Sequence, residues 1–330
     1  MQPFVYARPS DLRSAVAGLG ENAEGTRLLA GGTTLYDLMK LDVERPVRII
    51  DINRLTELAE IQTTGDELVL GSLARMSDVA ADPRLVAEVP VLSEALWKAA
   101  SQQVRNMASL GGNLLQRTRC AYFRHGEPFA CNKRVPGSGC SALEGLNRGH
   151  ALFGGSEACI ATYPGDLAVA LMALDAEVDV TGPGGDRSMP IARLHITPGD
   201  TPDRETSLLP NEIITRIRVP VGNIGRASTY HKIRDRESYA FAVVSAAVAV
   251  NVEDGVVSDA RIALGGVATV PWRARGAEQS LVGRALTPQA AREAGELAFA
   301  EAVPREHNAF KVELGANVVR DALLIANGRA

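Results

Sequence analysis

All four cysteines of the chain, Cys120, Cys131, Cys140 and Cys159, fall within residues 120–159 of a sequence 330 residues long. Random placement would confine four cysteines that tightly roughly once in a hundred sequences or less, so the clustering asks for a cause. The intervening stretches hold 10, 8 and 18 residues, and no zinc finger or ferredoxin run has that spacing. The N-terminus, MQPFVYARPSDLRSAV, lacks a basic region followed by an apolar one, which predicts no secretory signal. A chain kept in the cytoplasm holds its thiols reduced, so structural disulfides are disfavoured and metal is favoured. Four thiolates suit a tetrahedral zinc ion or an iron–sulfur cluster equally well on ligand chemistry alone.

The window around these cysteines is rich in Gly, Arg and Asn and has little periodicity. It reads as an ordered insertion without an apolar core of its own, which a bound metal would help to fold. Arg117, Arg119, Arg124, Lys133, Arg134 and Arg148 surround it. Their charge is expected to lower thiolate pKa values and to offset a thiolate-ligated cluster. A solvated basic loop is the plainer reading of the same residues.

Outside this window the pattern is that of an ordinary folded chain, with 46 % hydrophobic and 22 % charged residues. A net charge of −4 gives no reason to expect nucleic acid as a partner. No apolar stretch is long enough to predict membrane insertion. Residues 10–19 predict a short amphipathic helix with Ser10 as cap, Leu12, Val16 and Leu19 on its apolar face, and Gly20 at its end. Strands are predicted before the turn AGGTT, at 47–52 and at 67–72, with a helix opening at Thr33 or Thr34. Proline-broken helix follows through 77–100, and a helix then a strand through 163–180. The stretch 219–228 is a candidate linker. Beyond it, 240–266 predicts two strands turning at Glu253-Asp254-Gly255, and helical runs follow at 285–301 and 308–327.

Two glycine turns, AGGTT at 30–34 and ASLGGN at 108–113, carry the chemical signal. Each alone reads equally well as a plain tight turn, and neither fits the G-x-G-x-x-G dinucleotide fingerprint. As a pair, they would let exposed N–H groups grip one pyrophosphate, with Thr33, Thr34, Ser109 and Asn113 adding side-chain donors.

The ordered segments LLAGGTTL, RNMASLGGN, YPGDLAVALMALDA, EIITRIRVP, YHKIRDRESYAFAVVSAAVAV and ALGGVATVPWRA resemble the FAD-binding subunits of the molybdenum hydroxylases, the family of xanthine dehydrogenase and carbon monoxide dehydrogenase. The resemblance runs from about residue 3 to 325. It implies an α+β fold: a two-part α/β FAD-binding region of PCMH type over 1–222, with subdomains about 1–55 and 56–222 and a cysteine-bearing insertion at 117–160. A C-terminal α+β domain of the carbon monoxide dehydrogenase flavoprotein type would follow at 223–330. The family's first phosphate loop matches Leu28, Leu29, Ala30, Gly31, Gly32, Thr33, Thr34 and Leu35, and its second Ser109, Gly112 and Asn113. Asp166 matches an aspartate that hydrogen-bonds the flavin's sugar-like chain, and Ile214 an apolar contact to the cofactor. Lys232 matches a basic residue favouring negative charge on the reduced ring. Without the family, Asp166 reads as a first-turn helix carboxylate and Lys232 as a solvated strand-end lysine.

One subgroup, the flavin subunits of periplasmic-type bacterial aldehyde oxidoreductases, is similar in TRCAYFRH, CNKRVPGSGC and CIATYPGDLA. That likeness implies that the four cysteines bind a [4Fe–4S] cluster beside FAD. The implied role is an electron-transfer subunit of a heterotrimer. A molybdenum-cofactor large subunit would oxidise an aldehyde, and a small [2Fe–2S] subunit would relay electrons here. FAD would pass them to an external acceptor such as ferredoxin. Two alternatives stand beside it: the flavin subunit of a 4-hydroxybenzoyl-CoA reductase, and a zinc-stapled nucleotide-binding module without catalysis. The expected location is the cytoplasm, or the periplasm by co-export with a signal-bearing partner.

Overall fold

The computed structural model describes residues 1–20 and 23–330. Its first layer is a parallel sheet of β1 (Val5–Ala7), β2 (Thr26–Leu29) and β3 (Arg48–Asp51) in the order β1-β3-β2. Helices α1 (Leu12–Leu19) and α2 (Leu35–Lys40) connect its strands. The cap of α1 is Asp11, not the expected Ser10: the Asp11 carboxylate accepts the Ser14 N–H at 2.8 Å, while the Ser10 hydroxyl reaches only Asp11 itself. An aspartate one residue nearer the helix has both the reach and the charge that the N-terminus favours. Ala15, Val16 and Leu19 then bury against Ile50 and Ile52.

The second layer is an antiparallel sheet of β4 (Ile61–Thr64), β5 (Glu67–Gly71), β6 (Glu177–Gly182), β7 (Gly185–Pro190) and β8 (Ile213–Pro220), ordered β4-β5-β8-β6-β7. Between β5 and β6 the chain makes α3 (Met76–Ala81), α4 (Pro83–Glu88), α5 (Pro90–Trp97), α6 (Gln102–Met107), α7 (Leu110–Leu114), α8 (Ala121–His125) and α9 (Leu167–Ala173). Pro83 and Pro90 stand in the first turns of α4 and α5, where a missing N–H costs nothing, so they divide the run into separate helices. Every residue of α9 is buried.

The third layer begins with α10 (Asn223–Arg226) and continues through β9 (Ser228–Ile233), β10 (Val244–Glu253), β11 (Val256–Gly265) and β12 (Trp272–Arg273). Helices α11 (Arg275–Leu281), α12 (Pro288–Ala298) and α13 (Phe310–Asn327) cover this antiparallel sheet. Asp254 and Gly255 both have positive φ, 51° and 80°. That pair makes the tight turn of a two-residue hairpin, as the sequence predicts.

The expected linker at 219–228 is packed structure. Val219 and Pro220 close β8, α10 follows, and Arg226 pairs with Glu88 at 2.6 Å. These residues close a strand and form a short helix held against α4. The third sheet has its own apolar cluster, yet Tyr230, Ala247 and Ala263 join the main core of the second layer. Among the described residues, no helix is long and apolar enough to cross a membrane.

Candidate functional site

The first glycine turn leaves β2 with its backbone donors free. Among the described residues no acceptor is bonded to the N–H of Gly31, Gly32, Thr33 or Thr34. Gly32 takes φ +72°, which suits glycine, and the next residues open α2. Successive free amides at the start of a helix form a cradle for an anion.

Gly31 is where this turn meets the second. A β-carbon there would lie 2.0 Å from the Met107 carbonyl oxygen and 2.9 Å from Ala108 Cα, so only glycine permits the contact. Two residues absent from the sequence reading brace it. Asn53 donates to the Ala30 carbonyl at 2.8 Å, and Arg75 bonds both Asn53 Oδ1 and the Met107 carbonyl. Asn53 follows the buried end of β3, the one local sign that a polar side chain was needed there.

The second segment is a helix start and not a turn. Ser109 caps α7 through its hydroxyl oxygen, which accepts the Gly112 N–H at 3.3 Å, and Leu110, Gly111 and Asn113 donate to Ala74, Ser72 and Ser109 carbonyls. Those four amides are engaged, and the Ser109 N–H is the one in this segment with no acceptor among the described residues. Asn113 still carries a buried side-chain oxygen with no partner. An unsatisfied acceptor of this kind is what a bound hydroxyl or amide group would complete.

Asp166 and Lys232, far apart in sequence, form a buried ion pair at 2.8 Å with side chains 6 % and 1 % exposed. Tyr230 donates to the other Asp166 oxygen at 2.6 Å, and Lys232 also donates to the Lys98 carbonyl at 3.0 Å. Burial beside this carboxylate pushes the Tyr230 hydroxyl pKa far up. Lys232 is thus neither the solvated lysine nor a free charge; its cation is matched by Asp166. Ile214 sits in β8 within the main core, and Leu28 packs against the first layer's cluster. Leu29 and Leu35 are half-buried on either side of the turn.

The four cysteines line a single narrow cavity of about 10 Å³, together with Phe123, Asn132 and Lys133. All four are free thiols. Cys131 and Cys140 face each other across an antiparallel bridge. The insertion borrows apolar contacts from outside itself: Phe123 and Cys131 pack on Leu38 of α2, with Val43 beside them. The insertion is also bound by charge, through Arg124–Asp37 at 2.8 Å, Arg117–Glu44 at 2.7 Å and Lys133–Glu205 at 3.0 Å.

These pairings overturn the expected cationic field. Arg148 likewise pairs with Asp235, and Arg134 donates to three backbone carbonyls. Arg119, like Arg134, has no carboxylate partner: it stacks on Phe241, and burial lowers its pKa to about 10. Burial accordingly pushes the Cys120 thiol up to about 12 and raises Cys159 despite Lys133. Without a metal, Cys120 and Cys159 stay protonated, so their thiolates need a cation beside them. Among the described residues no three His, Cys, Asp or Glu side chains are close enough to hold one metal ion. His150 Nε2 lies 3.2 Å from Cys120 Sγ, and burial lowers the His150 pKa to about 4, which keeps the ring neutral.

A second cavity of about 390 Å³ opens next to the first. Leu114, Leu115, Thr162, Tyr163 and Pro164 form part of its lining, and Lys133, Cys159 and Ala161 border both cavities. Tyr163 ties it to α7, donating to the Leu114 carbonyl at 3.2 Å.

Comparison with known proteins agrees with this architecture. The FAD binding domain in molybdopterin dehydrogenase matches residues 2–222, and the CO dehydrogenase flavoprotein C-terminal domain matches 228–326. The aldehyde oxidoreductase FAD-binding subunit PaoB of Escherichia coli K12 is 44 % identical over 332 residues, covering 100 % of both chains. The carbon monoxide dehydrogenase medium chain of Hydrogenophaga pseudoflava is 29 % identical, covering 99 % of this chain and 98 % of its own. A solved carbon monoxide dehydrogenase from that organism superposes with a TM-score of 0.78 at 29 % identity, over 100 % of this chain and 99 % of that one. Reconstituted CO dehydrogenase from Oligotropha carboxidovorans gives 0.79 at 26 % identity, over 100 % of each chain. The chain belongs to the family of FAD-binding flavoprotein subunits of the molybdenum hydroxylases.

Proposed function

We propose that this chain is the FAD- and [4Fe–4S]-bearing electron-transfer subunit of a molybdenum-dependent aldehyde oxidoreductase. The observation that carries it is the cavity lined by all four cysteines, sharing Lys133, Cys159 and Ala161 with the larger cavity beside α7. A single zinc draws its four sulfurs to about 2.3 Å from one centre, whereas a cubane spreads them over several metals. Four thiols around one cavity supply the soft ligands that such a cluster takes.

Bound FAD would supply the exchange between one- and two-electron steps. The free amides of Gly31, Gly32, Thr33 and Thr34 would hold its pyrophosphate, and Asn113 Oδ1 would accept a donor from it. Asp166 keeps room to accept a hydroxyl, since each of its oxygens has one bond in the structure. The cluster would supply a one-electron path, and Cys120, Cys131, Cys140 and Cys159 would ligate it.

Aldehyde chemistry and the heterotrimer rest on the 44 % identity with the PaoB subunit. A large molybdenum subunit and a small [2Fe–2S] subunit would be the partners, and an external carrier such as ferredoxin the acceptor. Absorption and low-temperature EPR spectra, with iron, zinc and flavin quantified on one anaerobic sample, test the reading. About four irons and one FAD per chain are expected. One zinc and no flavin would overturn it.

A further inference from the structure

We infer that His150 is a positioning residue that raises the reduction potential of the metal centre by donating its Nε2–H to Cys120 Sγ. The inference rests on the cluster reading above and adds a residue that the cysteine pattern does not contain. The contact is 3.2 Å long and half-buried. His150 Nδ1 is buried with no partner, so the ring gains a bond only at Nε2. A thiolate ligand cannot donate, which places the proton on nitrogen.

The ring is held for this task from the opposite end of the chain. The His150 carbonyl accepts Lys311 Nζ at 3.2 Å, from the first turn of α13, and Asn308 Nδ2 at 3.3 Å, from just before that helix. Its N–H donates to the Asn147 carbonyl, and Asn147 Oδ1 in turn accepts the His307 N–H at 3.0 Å. Tyr122 flanks the ring at 6.2 Å between centroids.

Cys120 Sγ has the His150 ring nitrogen within reach, whereas Cys159 Sγ accepts only a backbone N–H, that of Ala161 at 3.4 Å. Hydrogen bonds to ligand sulfur stabilise the more electron-rich reduced state and so raise the potential. Among the described residues His150 is the one side chain placed to supply that effect to a cysteine sulfur.

The test is an EPR-monitored redox titration of the iron-loaded full chain, wild type against His150→Ala and His150→Gln. His150→Ala is expected to shift the oxidised-to-reduced ratio at a fixed potential about tenfold toward oxidised, equivalent to 59 mV for a one-electron couple. His150→Gln keeps an N–H of similar reach and should restore most of the shift. Superimposable titrations of wild type and His150→Ala would overturn the role. Should both variants lose iron, wild-type protein labelled with ¹⁵N-histidine decides: a weak nitrogen coupling in the reduced centre supports the bond, and its absence refutes it. A wild-type chain without iron removes the cluster and this inference together, before any variant is made.

Discussion

Replacing Gly31 by alanine probes the junction on which the proposed FAD grip depends. The new methyl would sit 2.0 Å from the Met107 carbonyl oxygen and 2.7 Å from its carbon, both rigid backbone. Ordinary carbon contacts begin near 3.5 Å, so the turn and the α6–α7 junction must part by roughly 1–1.5 Å. The Met107 carbonyl is also the acceptor for Arg75, so parting strains a charge-assisted bond of about 1.5–3 kcal/mol. Overpacking adds about 1–3 kcal/mol. If half of the combined cost falls on the bound state, FAD binding weakens by about 1.2–3 kcal/mol, or about eight- to more than a hundredfold in Kd. The assay is a flavin-fluorescence titration of the apoprotein, with a thermal melt of each variant. Gly65→Ala is the control: Gly65 has φ +58° but open space around its β-carbon position, so it suffers conformational strain alone. Gly31→Ala protein binding FAD within threefold of wild type would refute the reasoning.

Lys232→Met should cost about 3–5 kcal/mol in urea denaturation, because Asp166 then remains buried without its cation. Adding Asp166→Leu should recover part of that loss, and strictly additive costs would contradict the pairing. Lys311 is buried, 1 % exposed, with carbonyl partners, Arg148 and Asp235 as the charges facing it and the neutral His150 ring nearby. Burial lowers its pKa to about 8, below the unfolded value of about 10.4, so the folded state carries a penalty below pH 8 that fades as pH rises toward 10.4. Wild type should therefore gain about 2 kcal/mol over Lys311→Met between pH 7.5 and 9.5, and parallel urea midpoints would disprove it. Cys131→Ser should lose iron while keeping FAD; unchanged iron content by metal analysis would remove Cys131 from the ligand set.

Local signals were legible where the chemistry is local. The first glycine turn, the Asp254-Gly255 hairpin and the proline breaks all follow from what single residues permit. The convergence of the four cysteines was also legible, because their clustering in sequence leaves few folds that separate them. ASLGGN misled because glycines suggest a turn, whereas Ser109 as cap makes the same residues a helix start. The cationic field failed for a different reason. Glu44, Glu205, Asp37 and Asp235 come from other parts of the chain, and no spacing rule brings them to Arg117, Lys133, Arg124 and Arg148. Asn53, Arg75 and the Tyr230–Asp166–Lys232 network likewise exist only once distant layers have met.

The cysteine loop is wedged between early and late parts of the chain: Leu38 and Asp37 on one side, Asn308 and Lys311 on the other. During synthesis the four thiols leave the ribosome well before the helix that fixes His150. We expect a nascent chain to present them as a loose loop, unable to retain metal. Loading would then mark a finished polypeptide, and a product truncated ahead of Asn308 would emerge empty and could be sorted from the complete one before any partner binds.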